Sequence, residues 1–270
     1  CTGTECDAAI NHHQARTAMT KILAITNQKG GVGKTTTSVN LAASLAAADK
    51  CVLLIDLDPQ GNATMGSGTN KQTVKTTVYH VLLGSANIRE ALVSDTQGKY
   101  DLIPANRDLA GAEVEMVDFE QREARLKTAL EEIQYEYDYI LIDCPPALNL
   151  LTLNGLCAAH AVMIPMQCEY YALEGLSDLV NTIKRVRSSF NPELRIEGLL
   201  RTMFDPRNIL AQQASDQLQK HFGDKVYRTV IPRNVRLAEA PGFGLPVLYH
   251  DGQSKGAQAY LELAKEILDA

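Results

Sequence analysis

The chain has 270 residues and a formal net charge of −6. No apolar run reaches the roughly 18 to 20 residues that a membrane-spanning helix needs, and the first residues lack the apolar segment of a secretory signal. The six cysteines, at 1, 6, 51, 144, 157 and 168, contain no C-x-x-C pair. This excludes a zinc ribbon or a thioredoxin-like site and predicts small buried side chains in a reducing cytoplasm.

Residues 1–18 carry no helical or strand periodicity, and we predict a disordered tail that does not contribute to the fold. His12 and His13 are adjacent in this tail, but no further ligand is spaced around them, so we do not expect a metal site. No linker rich in Gly, Ser or Pro divides the remainder. We therefore predict a single domain over residues 19–270.

Strand and helix signals alternate along that domain. Continuous apolar runs predict buried strands at 21–26, 51–56, 137–143, 161–166, 196–204 and 226–231. Helical patterns follow at 34–48, 121–133, 172–188, 208–221 and 255–268. Val-, Ile- and Leu-rich strands separated by helices are typical of a doubly wound α/β fold, with a mostly parallel central sheet and helices on both faces.

A glycine-rich loop, NQKGGVGKTTT at 27–37, joins the first strand to the first helix. Glycines let backbone N–H groups point at phosphate oxygens, and the positive end of the helix dipole adds to the attraction. Lys34 is placed to reach the β- and γ-phosphates, and Thr35 to bring its hydroxyl to Mg²⁺. The predicted nucleotide-binding residues of the loop are Gly30, Gly31, Val32, Gly33, Lys34, Thr35 and Thr36.

This loop departs from the common G-x-x-x-x-G-K-T pattern, because Gln28 stands where the first glycine belongs and Lys29 follows it. The arrangement K-G-G-V-G-K-T-T resembles the deviant Walker A loop of the ParA/MinD family of P-loop ATPases. The resemblance implies that ATP and Mg²⁺ are cofactors, and that Lys29 crosses a dimer interface to a phosphate bound by the other subunit. A second cation near the phosphates is unfavourable unless further negative charge meets it, which a face-to-face homodimer around two ATP molecules supplies.

Three aspartates stand at predicted strand ends, where ligands bind in open α/β sheets. LLIDLDPQGN (53–62) contains Asp56 and Asp58, and YILIDCPP (139–146) contains Asp143. By the resemblance, Asp58 orients or deprotonates the attacking water, Asp56 faces the magnesium shell, and Asp143 holds Mg²⁺ through water. Phosphoryl transfer requires mainly positioning and charge neutralisation, which these groups together with Lys29 and Lys34 would supply.

Two later segments resemble one group within this family more closely than the others. QCEYYALEGLSDL (167–179) and VIPRNVRLAEAPGFGLPV (230–247) are similar to the chromosomal ParA/Soj group of DNA-segregation ATPases. The similarity implies that Pro232 and Asn234 lie against the adenine and its ribose. It also implies that Arg207 and Arg236 bind the DNA backbone without sequence preference. Both arginines belong to a basic window, residues 181–236, with eleven Lys or Arg against five Asp or Glu.

Such a window fits either one positive face for a polyanion or ordinary helix surfaces, and charge alone does not separate the two. The resemblance implies a cytoplasmic, nucleoid-associated ATP dimer on double-stranded DNA. Slow hydrolysis, stimulated by a ParB-type centromere-binding partner, would release it. Because only the tail precedes the first strand, we expect no helix-turn-helix domain and no operator recognition.

Other classes of P-loop ATPase require sequence features that can be compared with this chain. A MinD-like membrane ATPase requires a basic amphipathic helix at its end, whereas AYLELAKEILDA (259–270) carries acids on its polar face, so no membrane partner is expected. An iron–sulfur reductase requires a second cluster ligand beside Cys144, and none is evident. An arsenite or tail-anchor ATPase would require paired cysteines or a methionine-rich groove. The runner-up interpretation is nevertheless a MinD-like membrane-associated positioning ATPase. A metabolic P-loop synthetase, which would use ATP independently of DNA, is a further alternative.

Overall fold

The structure is a computed structural model that describes residues 19–169 and 172–270. The predicted tail over residues 1–18 lies outside the described residues, as do Tyr170 and Tyr171 of the motif at 167–179. The strands are β1 Lys21–Ile25, β2 Val52–Asp56, β3 Asp101–Ile103, β4 Tyr139–Asp143, β5 Ala161–Gln167, β6 Arg195–Phe204 and β7 Val226–Pro232.

These strands form one seven-stranded sheet in the order β3-β2-β4-β1-β5-β6-β7, and every neighbouring pair is parallel. The predicted parallel sheet is therefore confirmed. Strand β3 was not predicted, because three residues are too few to produce a periodic pattern. The central strand β1 lies between β4 and β5, so the loop that follows β1 emerges at the middle of the carboxyl edge of the sheet.

Eleven α-helices occur in the described part of the chain. They are α1 Lys34–Ala46, α2 Asn62–Gly66, α3 Val78–Leu83, α4 Leu109–Glu115, α5 Arg125–Leu130, α6 Leu150–Ala158, α7 Ala172–Ser189, α8 Ile209–Phe222, α9 Val235–Glu239, α10 Val247–His250 and α11 Lys255–Leu268. The helix predicted over 121–133 is wrong in extent, because its first turn is a 3-10 helix and Gln121 has φ 51. The remaining unpredicted helices are mostly one or two turns long.

Helices cover both faces of the sheet, as the doubly wound prediction requires. Alternate residues of the central strand point to opposite sides: Ile22 and Ala24 belong to one hydrophobic core, Leu23 and Ile25 to the other. The first core contains apolar residues of α3 to α8, and the second contains those of α1, α2 and α9 to α11. Strands buried on both faces explain why β1, β2 and β4 are continuously apolar in sequence.

The final helix α11 packs into the second core. Tyr260, Leu263 and Ile267 are buried there, and each contributes about 1.5–3 kcal/mol by leaving water. Its apolar face is therefore used inside the fold, as expected. Among the described helices, none combines the length and the apolarity that crossing a bilayer demands.

The cysteine prediction is only partly correct. Cys144, Cys157 and Cys168 are buried as expected, but Cys51 is exposed because β2 begins one residue after it. Cys1 and Cys6 lie outside the described residues. Within the described part of the chain, no group of three or more His, Cys, Asp or Glu side chains could hold a metal ion.

Candidate nucleotide site

The loop between β1 and α1 has the backbone of an anion-binding turn. Gly31 and Gly33 adopt φ 73 and φ 87, left-handed values that favour glycine over residues with a Cβ atom. Helix α1 begins directly after Gly33, so its amino terminus faces the same space. Among the described residues, no protein acceptor receives the backbone N–H groups of Gly30, Gly31 and Gly33. Free N–H groups at a helix amino terminus suit phosphate oxygens.

Lys34 is the first residue of α1, and its side chain is buried. The ammonium group donates to the carbonyl oxygen of Lys29 at 3.1 Å, and so folds back over the loop. Burial lowers the pKa of Lys34, while the negative charges of Asp143 and Asp58 oppose that effect. The lysine thus holds a poorly hydrated positive charge within the loop, where an anion is its natural counterpart.

Asp143 ends β4 and is completely buried. It accepts hydrogen bonds from the hydroxyls of Thr35 at 2.8 Å and Ser38 at 2.9 Å, both on α1. Its register partner on the adjacent strand β2 is Asp56, which is also completely buried. Burial, and then the charge of Asp56, raise the pKa of Asp143 to about 8; burial likewise raises the pKa of Asp56 to about 6.

Asp56 is held by the segment that follows β2. One of its oxygens accepts from the backbone N–H of Thr64 at 2.8 Å and from the Thr64 hydroxyl at 2.7 Å. The other accepts from the backbone N–H of Asp58 at 3.1 Å. The Thr64 hydroxyl in turn accepts from the N–H of Ala105, beyond β3. This network fixes the turn that carries Asp58.

The oxygen ligands at this site suit Mg²⁺ better than a metal ion that is coordinated entirely by protein side chains. Mg²⁺ usually takes only one or two protein carboxylates and completes its shell with water and substrate phosphates. The Thr35 hydroxyl and the Asp143 carboxylate are hard oxygen donors beside the phosphate loop, and Asp56 is the next carboxylate along the sheet. Two buried carboxylates with raised pKa values also favour a nearby cation, which would stabilise their charged forms.

The loop opens into a cavity of about 420 Å³. Pro232 and Asn234 line it although they lie some 200 residues from the loop, because β7 ends at the same edge of the sheet as β1. The Asn234 side chain also accepts from the N–H of Arg236 and begins α9. The predicted residues that form the wall are Gly30, Gly31, Gly33, Lys34, Thr35, Thr36, Asp58, Pro232 and Asn234.

Four other predicted residues do not form that wall. The Val32 side chain is buried in the protein, so only its main chain can contribute. Asp56 and Asp143 are completely buried and do not line the cavity, although Asp143 bonds to the wall residue Thr35, and Lys29 lies outside the wall. The wall residues that sequence reasoning missed include Thr202, Met203, Arg233, Leu237 and Tyr260. Their positions depend on where distant strands end, which no local pattern encodes.

Lys29 is half exposed and forms an ion pair with Glu169, with Nζ 2.5 Å from Oε2. Glu169 belongs to the QCEYYALEGLSDL motif but was not singled out from the sequence. Exposed ion pairs contribute little, about 0.2–1 kcal/mol, so this contact holds Lys29 only weakly.

Arg207 and Arg236 are both exposed at the carboxyl edge of the sheet, following β6 and β7, and both have acidic neighbours. Arg207 forms two hydrogen bonds with Asp205, at 2.9 and 2.8 Å, which hold the pKa of Asp205 at about 2. Arg236 lies 2.7 Å from Glu239 and 3.2 Å from Asp251. Any phosphate that binds these arginines must therefore compete with carboxylates.

The basic window does not form one positive face. Arg195 and Arg228 lie at the amino-terminal ends of β6 and β7, opposite the nucleotide cavity, and are near Glu197 and Glu266. Arg201 is half-buried and donates to the Ser215 hydroxyl and the Tyr227 carbonyl. Parallel strands place the two ends of each basic segment on opposite edges, so only part of the window lies beside the cavity.

Known proteins match this chain over nearly its whole length. The AAA domain family matches residues 20–196. The sporulation initiation inhibitor protein Soj of Bacillus subtilis is 56% identical over 249 residues, which cover 92% of this chain and 98% of that protein. The chromosome partitioning protein ParA of Caulobacter vibrioides is 53% identical over 250 residues, which cover 92% and 94%.

Among solved structures, this fold is similar to cobyrinic acid a,c-diamide synthase from Mycobacterium smegmatis, crystallised with bound ADP and magnesium. The TM-score is 0.82 at 40% identity, and the match covers 93% of this chain and 94% of that one.

Proposed function

This chain belongs to the Soj/ParA family of chromosome-partitioning P-loop ATPases, and from that membership we propose that it is a switch that binds DNA as an ATP-loaded dimer and leaves it after hydrolysis. The observation that carries the proposal is the convergence of Lys34, Thr35 and Asp58 on one cavity that also contains free loop N–H groups. These groups together suit a nucleoside triphosphate.

In the proposed reaction, the loop N–H groups and Lys34 bind the phosphates, while Pro232 and Asn234 contact the adenosine. Mg²⁺ would be held by Thr35 and, through water, by Asp143 and Asp56, and it would neutralise charge on the phosphates. Asp58 orients the attacking water and accepts its proton. This division of roles matches the chemistry of phosphoryl transfer, where positioning and electrostatics do most of the work.

Dimerisation is proposed to depend on Lys29. Its ion pair with Glu169 is exposed and weak, so a second copy with bound triphosphate can draw the ammonium group across an interface. ADP lacks the third phosphate and therefore attracts the Lys29 ammonium group less strongly. The nucleotide therefore sets the oligomeric state.

DNA binding is proposed to follow from dimerisation. Arg207 and Arg236 project from the same edge of the sheet as the cavity, and a two-fold axis doubles their number. Because affinity for a polyanion rises steeply with each phosphate contact, the dimer would bind random duplex DNA much more tightly than the monomer. We place the protein in the cytoplasm on the nucleoid, with a ParB-type partner that stimulates hydrolysis.

Two alternatives make different predictions. A MinD-like protein would bind vesicles with ATP, but the apolar face of α11 is already buried. The similarity to the Mycobacterium smegmatis enzyme suggests a metabolic synthetase as the second alternative. Such an enzyme would consume ATP only together with its own small substrate. The higher identity to Soj and ParA, over 92% of the chain, favours the partitioning role.

The decisive experiment is size-exclusion chromatography of Asp58→Ala with ATP and with ADP, each with and without random duplex DNA. We expect a dimer with ATP, a monomer with ADP, and co-elution with DNA only in the ATP sample. A monomer in all four samples would contradict the proposed switch. In a separate sedimentation assay, pelleting with lipid vesicles in the presence of ATP would support the MinD-like alternative.

A further inference from the structure

The carboxyl end of β6 is irregular where it meets the phosphate loop. Its pairing with β7 shifts register twice, between Leu199 and Arg201 and between Arg201 and Phe204. Within this stretch Met203 has φ 48, a left-handed backbone conformation that is unfavourable for a residue with a side chain. Such irregularities commonly occur beside active sites, where they redirect a side chain.

Thr202 lies within this irregular stretch. Its hydroxyl donates to the carbonyl oxygen of Val32 at 2.7 Å, across 170 residues of sequence. Both residues are almost completely buried, so water does not compete for the bond. Thr202 also forms part of the cavity wall beside Gly33. The carboxyl end of β6 is thus bonded to the main chain of the loop that follows β1.

This hydrogen bond determines how one peptide unit of the loop is oriented. In a planar trans peptide the C=O and the following N–H point in opposite directions. Because the Val32 carbonyl points at Thr202, the N–H of Gly33 must point away from it. That N–H is among the loop donors that no protein acceptor receives in the described part of the chain.

We propose that Thr202 is a positioning residue that fixes the Val32–Gly33 peptide so that the Gly33 N–H faces the nucleotide phosphates. The inference rests on the proposed ATP site and assigns to β6 a role in shaping it. An external constraint is needed because Gly31 and Gly33, on either side of Val32, have little intrinsic preference for one peptide orientation. Preorganising the donor spares ATP the free energy of ordering the loop on binding.

The test compares Thr202→Val, which keeps the shape but removes the hydroxyl, with Thr202→Ser, which keeps the hydroxyl. Isothermal titration with ATP and ADP should show affinities about tenfold or more weaker for Thr202→Val and close to wild type for Thr202→Ser. Adenosine has no phosphates and should bind both variants as it binds the wild type. Thr202→Ala lacks the hydroxyl without the added methyl group and should behave like Thr202→Val.

Thr229→Val serves as the matched control, because it removes another 2.7 Å hydroxyl hydrogen bond, to Glu266, from the neighbouring strand β7. It should bind ATP as the wild type does. Wild-type ATP affinity in Thr202→Val and Thr202→Ala would overturn the inference and leave the proposed function intact. So would an equal loss for adenosine, or a failure of serine to restore binding. Absence of ATP binding by the wild-type protein would instead overturn the proposed function.

Discussion

Asp56 and Asp143 occupy the same register position on adjacent parallel strands, and both carboxyl groups are completely buried. Burial and the nearby charge of Asp56 raise the pKa of Asp143 to about 8. Burial also raises the pKa of Asp56 to about 6. Without a cation, the folded protein therefore retains protons that the unfolded chain releases near pH 4. Because the folded state binds more protons, raising the pH from about 4 to about 8 decreases the free energy of unfolding.

The first prediction concerns this pH dependence. Nucleotide-free protein should unfold about 3 °C or more lower at pH 8 than at pH 6, since each ~1 kcal/mol lost corresponds to about 2–4 °C. Asp143→Asn should reduce that difference and raise the unfolding temperature at pH 8. Differential scanning calorimetry at both pH values measures it, with the exposed Asp118→Asn as control. A steeper pH dependence in Asp143→Asn would contradict the prediction.

The second prediction concerns Lys29. Because it lies outside the cavity wall, Lys29→Ala should bind ATP within about threefold of the wild type but stay monomeric at concentrations where the wild type dimerises. Analytical ultracentrifugation with ATP distinguishes the two states. Lys75→Ala, another exposed lysine, should dimerise normally. Normal dimers of Lys29→Ala would remove this lysine from the interface.

The third prediction concerns Asp58, the part-exposed carboxylate of the cavity wall. If it accepts a proton from the attacking water, Asp58→Ala should hydrolyse ATP about 100- to 10,000-fold more slowly. ATP affinity should be retained, because Lys34 and the loop are unchanged. Release of phosphate and binding of a fluorescent ATP analogue are measured separately. Hydrolysis at the wild-type rate would exclude Asp58 from this role.

The fourth prediction uses the carboxylates that surround Arg236. Glu239→Gln removes the nearer partner, so the guanidinium becomes more available and the affinity of the ATP dimer for random duplex should rise about two- to fivefold. The gain should diminish as salt is raised, because screening weakens both interactions. Filter binding at two salt concentrations tests it, and unchanged affinity at low salt would place the DNA elsewhere.

The fifth prediction reverses the charge of that surface. Arg207→Glu with Arg236→Glu should abolish detectable binding of random duplex while the ATP dimer still forms. Each lost phosphate contact should also reduce the dependence of affinity on salt concentration. Arg195→Glu with Arg228→Glu, at the opposite edge of the sheet, is the matched control and should bind DNA normally. If only the control pair lost DNA binding, the DNA-binding surface would lie at that opposite edge of the sheet.

The phosphate loop and its aspartates were predictable because each depends on a few consecutive residues. Glycine spacing fixes the backbone of the loop, and an apolar run followed by Asp predicts a strand end. Strand β3 and most of the short helices were not predictable, since three to seven residues contain too little periodicity. Residues 121–133 show the opposite error, in which a helical pattern exceeds the α-helix that forms.

The sequence by itself determined the parallel sheet, the nucleotide loop and the resemblance to one ATPase family. Only the tertiary structure decided that Thr202 contacts Val32, that Lys29 pairs with Glu169, and that the basic window divides between two edges of the sheet. The reason is physical: turns and periodic patterns arise from interactions between near neighbours in the chain. Strand order and register, by contrast, arise from packing between segments that are distant in the chain, as where Lys21 of β1 pairs with Tyr139 of β4.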